Sequence, residues 1–261
     1  MMSYSIGIDY GTASGRVFLI NTTNGQVVSK FVKPYTHGVI ESELNGLKIP
    51  HTYALQNSND YLEIMEEGIS YIVRESKIDP VNIVGIGIDF TSSTIIFTDE
   101  NLNPVHNLKQ FKNNPHAYVK LWKHHGAYKE AEKLYQTAIE NNNKWLGHYG
   151  YNVSSEWMIP KIMEVMNRAP EIMEKTAYIM EAGDWIVNKL TNKNVRSNCG
   201  LGFKAFWEEE TGFHYDLFYK IDPKLSKVIQ DKVSAPVVNI GEVVGKLDDK
   251  MAQKLGLSKE T

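Results

Sequence analysis

The segment Ile6 to Arg16, IGIDYGTASGR, sets a carboxylate, two hydroxyls and a guanidinium around a turn with two glycines. A strand, a tight turn at Gly11 and Gly15 and a second strand carrying Arg16 can aim backbone N–H groups at phosphate oxygens. The Thr12 and Ser14 hydroxyls would join them in an anion nest. Asp9, beside the turn, could hold Mg2+ through water, which suits an ion that keeps most of its hydration shell. This is not a Walker loop: G-x-x-x-x-G-K-[ST] is missing, and the turn leads into a strand, not a helix N-terminus. The same residues also fit a structural hairpin in which the glycines take positive φ angles and Asp9 caps the turn.

Ser92 and Ser93 follow the strand-like run IVGIGIDF, where hydroxyls either meet a ligand or simply cap the strand end. Lys204 lies between Phe203 and Phe206 and can reach a ligand or run its stem over an aromatic surface. His116, His124 and His125 carry no carboxylate-histidine or HExxH signature, so they read as polar groups on a helix face. Glu156 and Asp184 open helices, where the macrodipole favours acids for structural reasons. Trp122, Trp157, Trp185 and Trp207 could stack on a ligand ring, but large aromatics usually supply core area, and core is the reading for all four.

The elements that must position these groups are legible by pattern. Short β-branched runs in SIGIDYG, GRVFLIN, QVVSKFV, NIVGIGIDF and STIIFTDE, broken by Gly, Asn and Asp, read as strands of one buried sheet. Between them, residues 59–76 place Tyr61, Ile64, Met65, Ile69, Ile72 and Val73 at helical spacing. From Pro115 onward, Tyr118, Leu121, Trp122, His125 and Tyr128 share one helical face. Further helices are expected from Pro160, from Pro170 and after Asp184 as N-cap, whereas Val195 to Trp207 looks strand-like. Strands, a crossover helix, more strands and then helices fit an α/β layered domain.

With 261 residues and 42% hydrophobic content, the chain can bury a sizeable core. Twenty-eight basic and 31 acidic residues give a formal charge of −3, with no excess to favour nucleic acid or an anionic membrane. Cys199 is the only cysteine, which excludes an internal disulfide and points to a reducing cytoplasm. No basic leader and no run of eighteen apolar residues is present.

D-Y-G-T-x-S-x-R after an N-terminal strand resembles the first phosphate motif of the actin, hexokinase and sugar-kinase superfamily. GIGIDFTSST, NPHAYVKLWKHH, YNVSSEWMIPKI, EAGDWIV and RSNCGLGFKAFW, in that order, resemble the FGGY carbohydrate kinases and, within them, the L-ribulokinase group. The resemblance runs from about Tyr4 to the end and implies an RNase H-like, actin/hexokinase-type domain with a mixed β-sheet flanked by helices. It implies that Asp9, Thr12, Ser14 and Arg16 belong to a turn for ATP phosphates and Mg2+, and that Ser92, Ser93 and Lys204 meet the sugar. Residues 1–261 would then form one N-terminal, sugar-binding domain. The catalytic aspartate, in a Gly-Asp segment, would follow Thr261, so no catalytic base carries over. A C-terminal ATP-binding domain would likewise lie outside these residues, leaving the chain by itself with negligible turnover. The implied reaction moves the γ-phosphoryl of ATP to the 5-hydroxyl of L-ribulose in arabinose breakdown. The alternatives are a kinase of the same family for D-ribulose, L-xylulose or a polyol, and a non-catalytic sugar-binding module. An uncovered domain surface could also pair two copies as a homodimer.

Overall fold

The computed structural model describes residues 2–261. Strand β1 (Tyr4–Tyr10) buries Ile6, Ile8 and Tyr10 on one face and turns Ser5, Gly7 and Asp9 to the other, the period-two alternation of a half-covered strand. It pairs antiparallel with β2 (Ser14–Asn21), and β2 pairs antiparallel with β3 (Val27–Pro34). A small hairpin, β4 (Glu43–Leu44) with β5 (Leu47–Lys48), and a two-residue strand β6 (Leu55–Gln56) lead into helix α1 (Asn59–Ser76). The chain returns as β7 (Ile83–Phe90), parallel to β1, so the sheet order is β3-β2-β1-β7.

Helix α1 has the predicted bounds, and Tyr61, Ile64, Met65, Ile69 and Ile72 are all buried against this sheet. The approach is close enough to need glycine on both partners. A Cβ on Gly15 would fall 2.4 Å from Ile64 Cγ2, and one on Gly68 would fall 2.4 Å from Val17 Cγ2. Neither Gly11 nor Gly15 has a positive φ, so Gly15 serves helix–sheet packing, not turn geometry.

A second sheet has the order β10-β8-β9-β6, with β8 (Ile95–Thr98), β9 (Val119–Lys120) and β10 (Tyr178–Glu181). Strand β8 is buried along its whole length, beneath α2 (Tyr128–Glu140), α3 (Met158–Arg168) and α4 (Pro170–Lys175), which share its core. The five strands expected as one sheet are thus divided between two, and only Thr91 to Thr94 separate β7 from β8. After β10 come α5 (Ala182–Thr191), β11 (Arg196–Ser197) and α6 (Asn198–Lys204).

Three helix and strand expectations differ from the structure. Pro115 opens only a single 3-10 turn, capped by the Asn114 side chain accepting from His116 N at 3.0 Å. The chain then enters β9, where Lys120 pairs with Leu55 and Ile95, and long-range strand pairing overrides the helical period. The N-cap of α5 is Glu181, and Asp184 sits inside its first turn. Strand character at 195–207 is limited to Arg196–Ser197 and to Trp207, which pairs with Phe213, because α6 takes over between them. Its Gly200 packs on Glu181, where a Cβ would lie 3.0 Å from Cγ.

Candidate active site

Parallel pairing of β1 with β7 brings two G-I-D-aromatic segments side by side. Asp9 is opposite Asp89 and Tyr10 is opposite Phe90, with the two rings stacked at 4.8 Å. The turn after β1 and the loop after β7 therefore emerge together at the carboxyl ends of adjacent strands, joined by Thr91 N donating to Tyr10 O at 3.2 Å. Ligands gather at such places in α/β sheets.

In the first turn, Arg16 Nη1 donates to Asp9 Oδ2 at 2.7 Å across the β1–β2 pair, with both side chains part-exposed. The Gly11 carbonyl accepts from Tyr35 Oη at 2.9 Å, and the Thr12 carbonyl accepts from Gln56 Nε2 at 2.9 Å. Thr12 Oγ1 accepts from Trp122 Nε1 at 3.0 Å, which leaves the hydroxyl proton to donate elsewhere. Ser14 opens β2 half-buried. Among the described residues no three His, Cys, Asp or Glu side chains group as metal ligands. Asp9 and Asp89 put two carboxylates on one open sheet face, a donor set that fits a cation held through its own water shell.

The second loop is built differently. Ser93 has φ +62°, the left-handed region a non-glycine residue rarely takes. Its hydroxyl donates to Glu156 O at 2.6 Å and the residue is fully buried, so that hydroxyl faces inward, and Ser92 is the part-exposed member of the pair. The Glu181 carboxylate accepts from both Ser93 N and Thr94 N at 3.0 Å. Lys161 Nζ donates to Ser93 O at 2.6 Å and to Leu121 O at 2.9 Å. Burial, then the nearby Asp184, pushes Glu181 up to about 8, against the pull of Lys161 and the two amides. Burial pushes Lys161 down to about 7. Asp184 is raised to about 7 by burial, with Oδ1 accepting from Ser197 N and Oδ2 unpartnered.

Lys204 ends α6, half-buried, with Nζ 5.2 Å from the Phe203 ring centroid. It lines a cavity of about 340 Å3 with Tyr149, Trp157, Trp207 and Glu208. The core expectation therefore holds for Trp185, which is fully buried, whereas Trp122, Trp157 and Trp207 are only half-buried. The histidine expectation is also overturned. His116 and His124 are buried off any α-helix, and His124 Nε2 meets Glu164 Oε2 at 2.8 Å, beside Lys120 Nζ at 3.1 Å. Sequence reasoning passed over Asp89, Lys161 and Glu181. Only Asp89 left a signal, the repeat of GIDY as GIDF.

The family model for the FGGY family of carbohydrate kinases, N-terminal domain, matches residues 4–261. Proteins named ribulokinase from Staphylococcus aureus strains bovine RF122 / ET3-1 and Newman are 99% identical over 260 residues. The match takes in 100% of this chain and 48% of each relative, so the chain spans about half their length. Among solved structures, xylulose kinase from Rhodospirillum rubrum aligns with TM-score 0.76 at 17% identity, over 97% of this chain and 46% of that one. Gluconate kinase from Lactobacillus acidophilus aligns with TM-score 0.75 at 17% identity, over 100% and 47%. At such identities the likeness shows the fold, which is that of the sugar kinases.

Proposed function

Because the chain belongs to the FGGY family of carbohydrate kinases, we propose that it is the sugar-binding half of an ATP-dependent L-ribulokinase making L-ribulose 5-phosphate. The observation that carries this reading is the 99% identity to proteins named ribulokinase over the whole chain. The family uses ATP; Mg2+ as its companion, and a second domain that brings the nucleotide, are parts of the proposal. No helix of the described residues is long and apolar enough to cross a membrane, and we place the enzyme in the cytoplasm on the same reading.

In this proposal the chain's own residues bind and orient. The Thr12 hydroxyl, its acceptor side occupied by Trp122, donates to a phosphate oxygen together with backbone amides of the turn and the Ser14 hydroxyl. Arg16 is shared between Asp9 and the phosphates. Asp9 and Asp89 would hold Mg2+ through its waters, and the ion would supply positive charge to the transferring phosphoryl group. Ser92 and Lys204 bond sugar hydroxyls, while Ser93 shapes the loop from below. The base for the 5-hydroxyl comes from outside these residues, and closure of the second domain excludes water.

Saturation-transfer NMR of the chain with L-ribulose, D-ribulose and L-arabinose tests the sugar site. The expected result is signal selective for L-ribulose that disappears in Lys204→Ala. Equal signal from D-ribulose would move the assignment to another ketopentose kinase. Signal retained in Lys204→Ala would remove Lys204 from the site.

A further inference from the structure

Two fully or nearly buried charged side chains, Lys161 and Glu181, are spent on main-chain groups and form no ion pair with each other among the described residues. Burying an ionisable side chain with no direct ion pair is unfavourable, and a core that needed only stability would fill both places with apolar side chains. What the two hold is the one strained peptide of the sugar loop. Glu181 takes the N–H groups of Ser93 and Thr94, and Lys161 takes the Ser93 carbonyl, so the φ +62° conformation is fixed from both ends. Strained backbone kept in place by surrounding polar groups is concentrated at functional sites.

Lys161 does one thing more. Its second acceptor is Leu121 O, and the next residue, Trp122, donates from Nε1 to Thr12 Oγ1 in the phosphate turn. One ammonium thus ties the segment that reaches the phosphate turn to the loop that would face the sugar. Glu181 reaches the sugar side only, but on two fronts, since Gly200 of α6 rests on its Cγ and α6 ends in Lys204.

We infer that Lys161 and Glu181 are positioning residues, Glu181 setting the sugar loop and α6, and Lys161 holding the sugar loop and the phosphate turn in one frame. The inference rests on the sugar-kinase reading above. Correct spacing of two reactants is a large part of phosphoryl-transfer catalysis, because a small misplacement separates hydroxyl from phosphorus.

The test uses the full-length kinase that carries this sequence, with Glu181→Gln and Lys161→Met, which keep side-chain volume. Glu181→Gln is expected to raise KM for L-ribulose at least tenfold with KM for ATP within twofold of the parent. Lys161→Met is expected to raise both constants at least tenfold. Trp122→Phe, which cuts the tether to Thr12, should raise KM for ATP in the parent and add little in Lys161→Met. A purely structural role would lower the melting temperature of both variants and leave their constants unchanged; that result, or a Glu181→Gln variant that raises both constants alike, overturns the inference. If the parent enzyme does not phosphorylate L-ribulose, the substrate reading fails, and amide hydrogen exchange in this chain decides the clamp separately. Lost protection at Ser93 and Thr94 in Glu181→Gln would support it, and unchanged protection would overturn it.

Discussion

Replacing Glu164 by leucine should destabilise the chain more than any exposed substitution, because it strips a buried ammonium of its countercharge. Glu164 and Lys120 are both fully buried, and the carboxylate meets Lys120 Nζ at 3.1 Å, His124 Nε2 at 2.8 Å and Arg168 Nη1 at 3.2 Å. Burial alone would raise the Glu164 carboxyl, but the Lys120 ammonium and the His124 hydrogen bond hold it well below the usual carboxylate range. Once Glu164 is gone, the side-chain hydrogen-bond partner left to Lys120 is His116 Nδ1 at 3.5 Å. Removing one partner of such a pair costs about 3–5 kcal/mol. At roughly 2–4 °C per kcal/mol for a domain of this size, the melting temperature falls by about 6–20 °C. In Glu164→Leu/Lys120→Met the buried charge is gone and the loss should shrink to about 1–3 kcal/mol, the cost of leaving the His124 N–H without an acceptor. Urea denaturation of the parent, both single variants and the double variant gives the coupling directly. A loss below about 1 kcal/mol in Glu164→Leu, or a double variant no more stable than the single, would refute the reasoning.

Further expectations concern pH, packing and the phosphate turn. Burial holds His106 and His116 down to about 4 and His124 down to about 3. Their contribution is therefore complete above the unfolded value of about 6.5 and is lost as pH falls below it. Glu181 and Asp184, raised to about 8 and about 7, act in the opposite sense, contributing below the unfolded carboxylate value and losing it as pH rises. In Glu181→Gln/Asp184→Asn, with that opposition removed, the urea midpoint should drop between pH 7 and pH 5, and a flat midpoint would count against neutral buried histidines. Gly68→Ala pushes a methyl to 2.4 Å from Val17 Cγ2 and should cost about 1–3 kcal/mol by overpacking, measured by thermal unfolding. Thr12→Val keeps the shape and removes the hydroxyl, so in the full-length kinase KM for ATP should rise about tenfold, the value of one hydrogen bond to a charged group. An unchanged constant would take Thr12 out of the phosphate site.

The chain's local patterns were enough for β1, β2, β3, α1 and β7 as elements and for the family. Ile6, Ile8 and Tyr10 at period two, and Tyr61 to Ile72 at helical period, state which face is buried without knowledge of the partner, and the structure buries those faces. The order of D-Y-G-T-x-S-x-R and the later segments carries the family resemblance, because glycine, hydroxyl and carboxylate spacing is set by local turn chemistry. Other features depended on distant chain segments meeting. Lys120 lies in a strand because Leu55 and Ile95 offer it a ladder, and Glu164 then supplies the carboxylate that lets it stay buried. Glycine at position 200 of α6 suits the close approach of Glu181, whose Cγ would lie 3.0 Å from a Cβ there. Lys161 and Glu181 look like ordinary helix-face and strand-end charges in the sequence. Only tertiary packing, which removes water from both and aims them at the same Ser93 peptide, makes them part of the site.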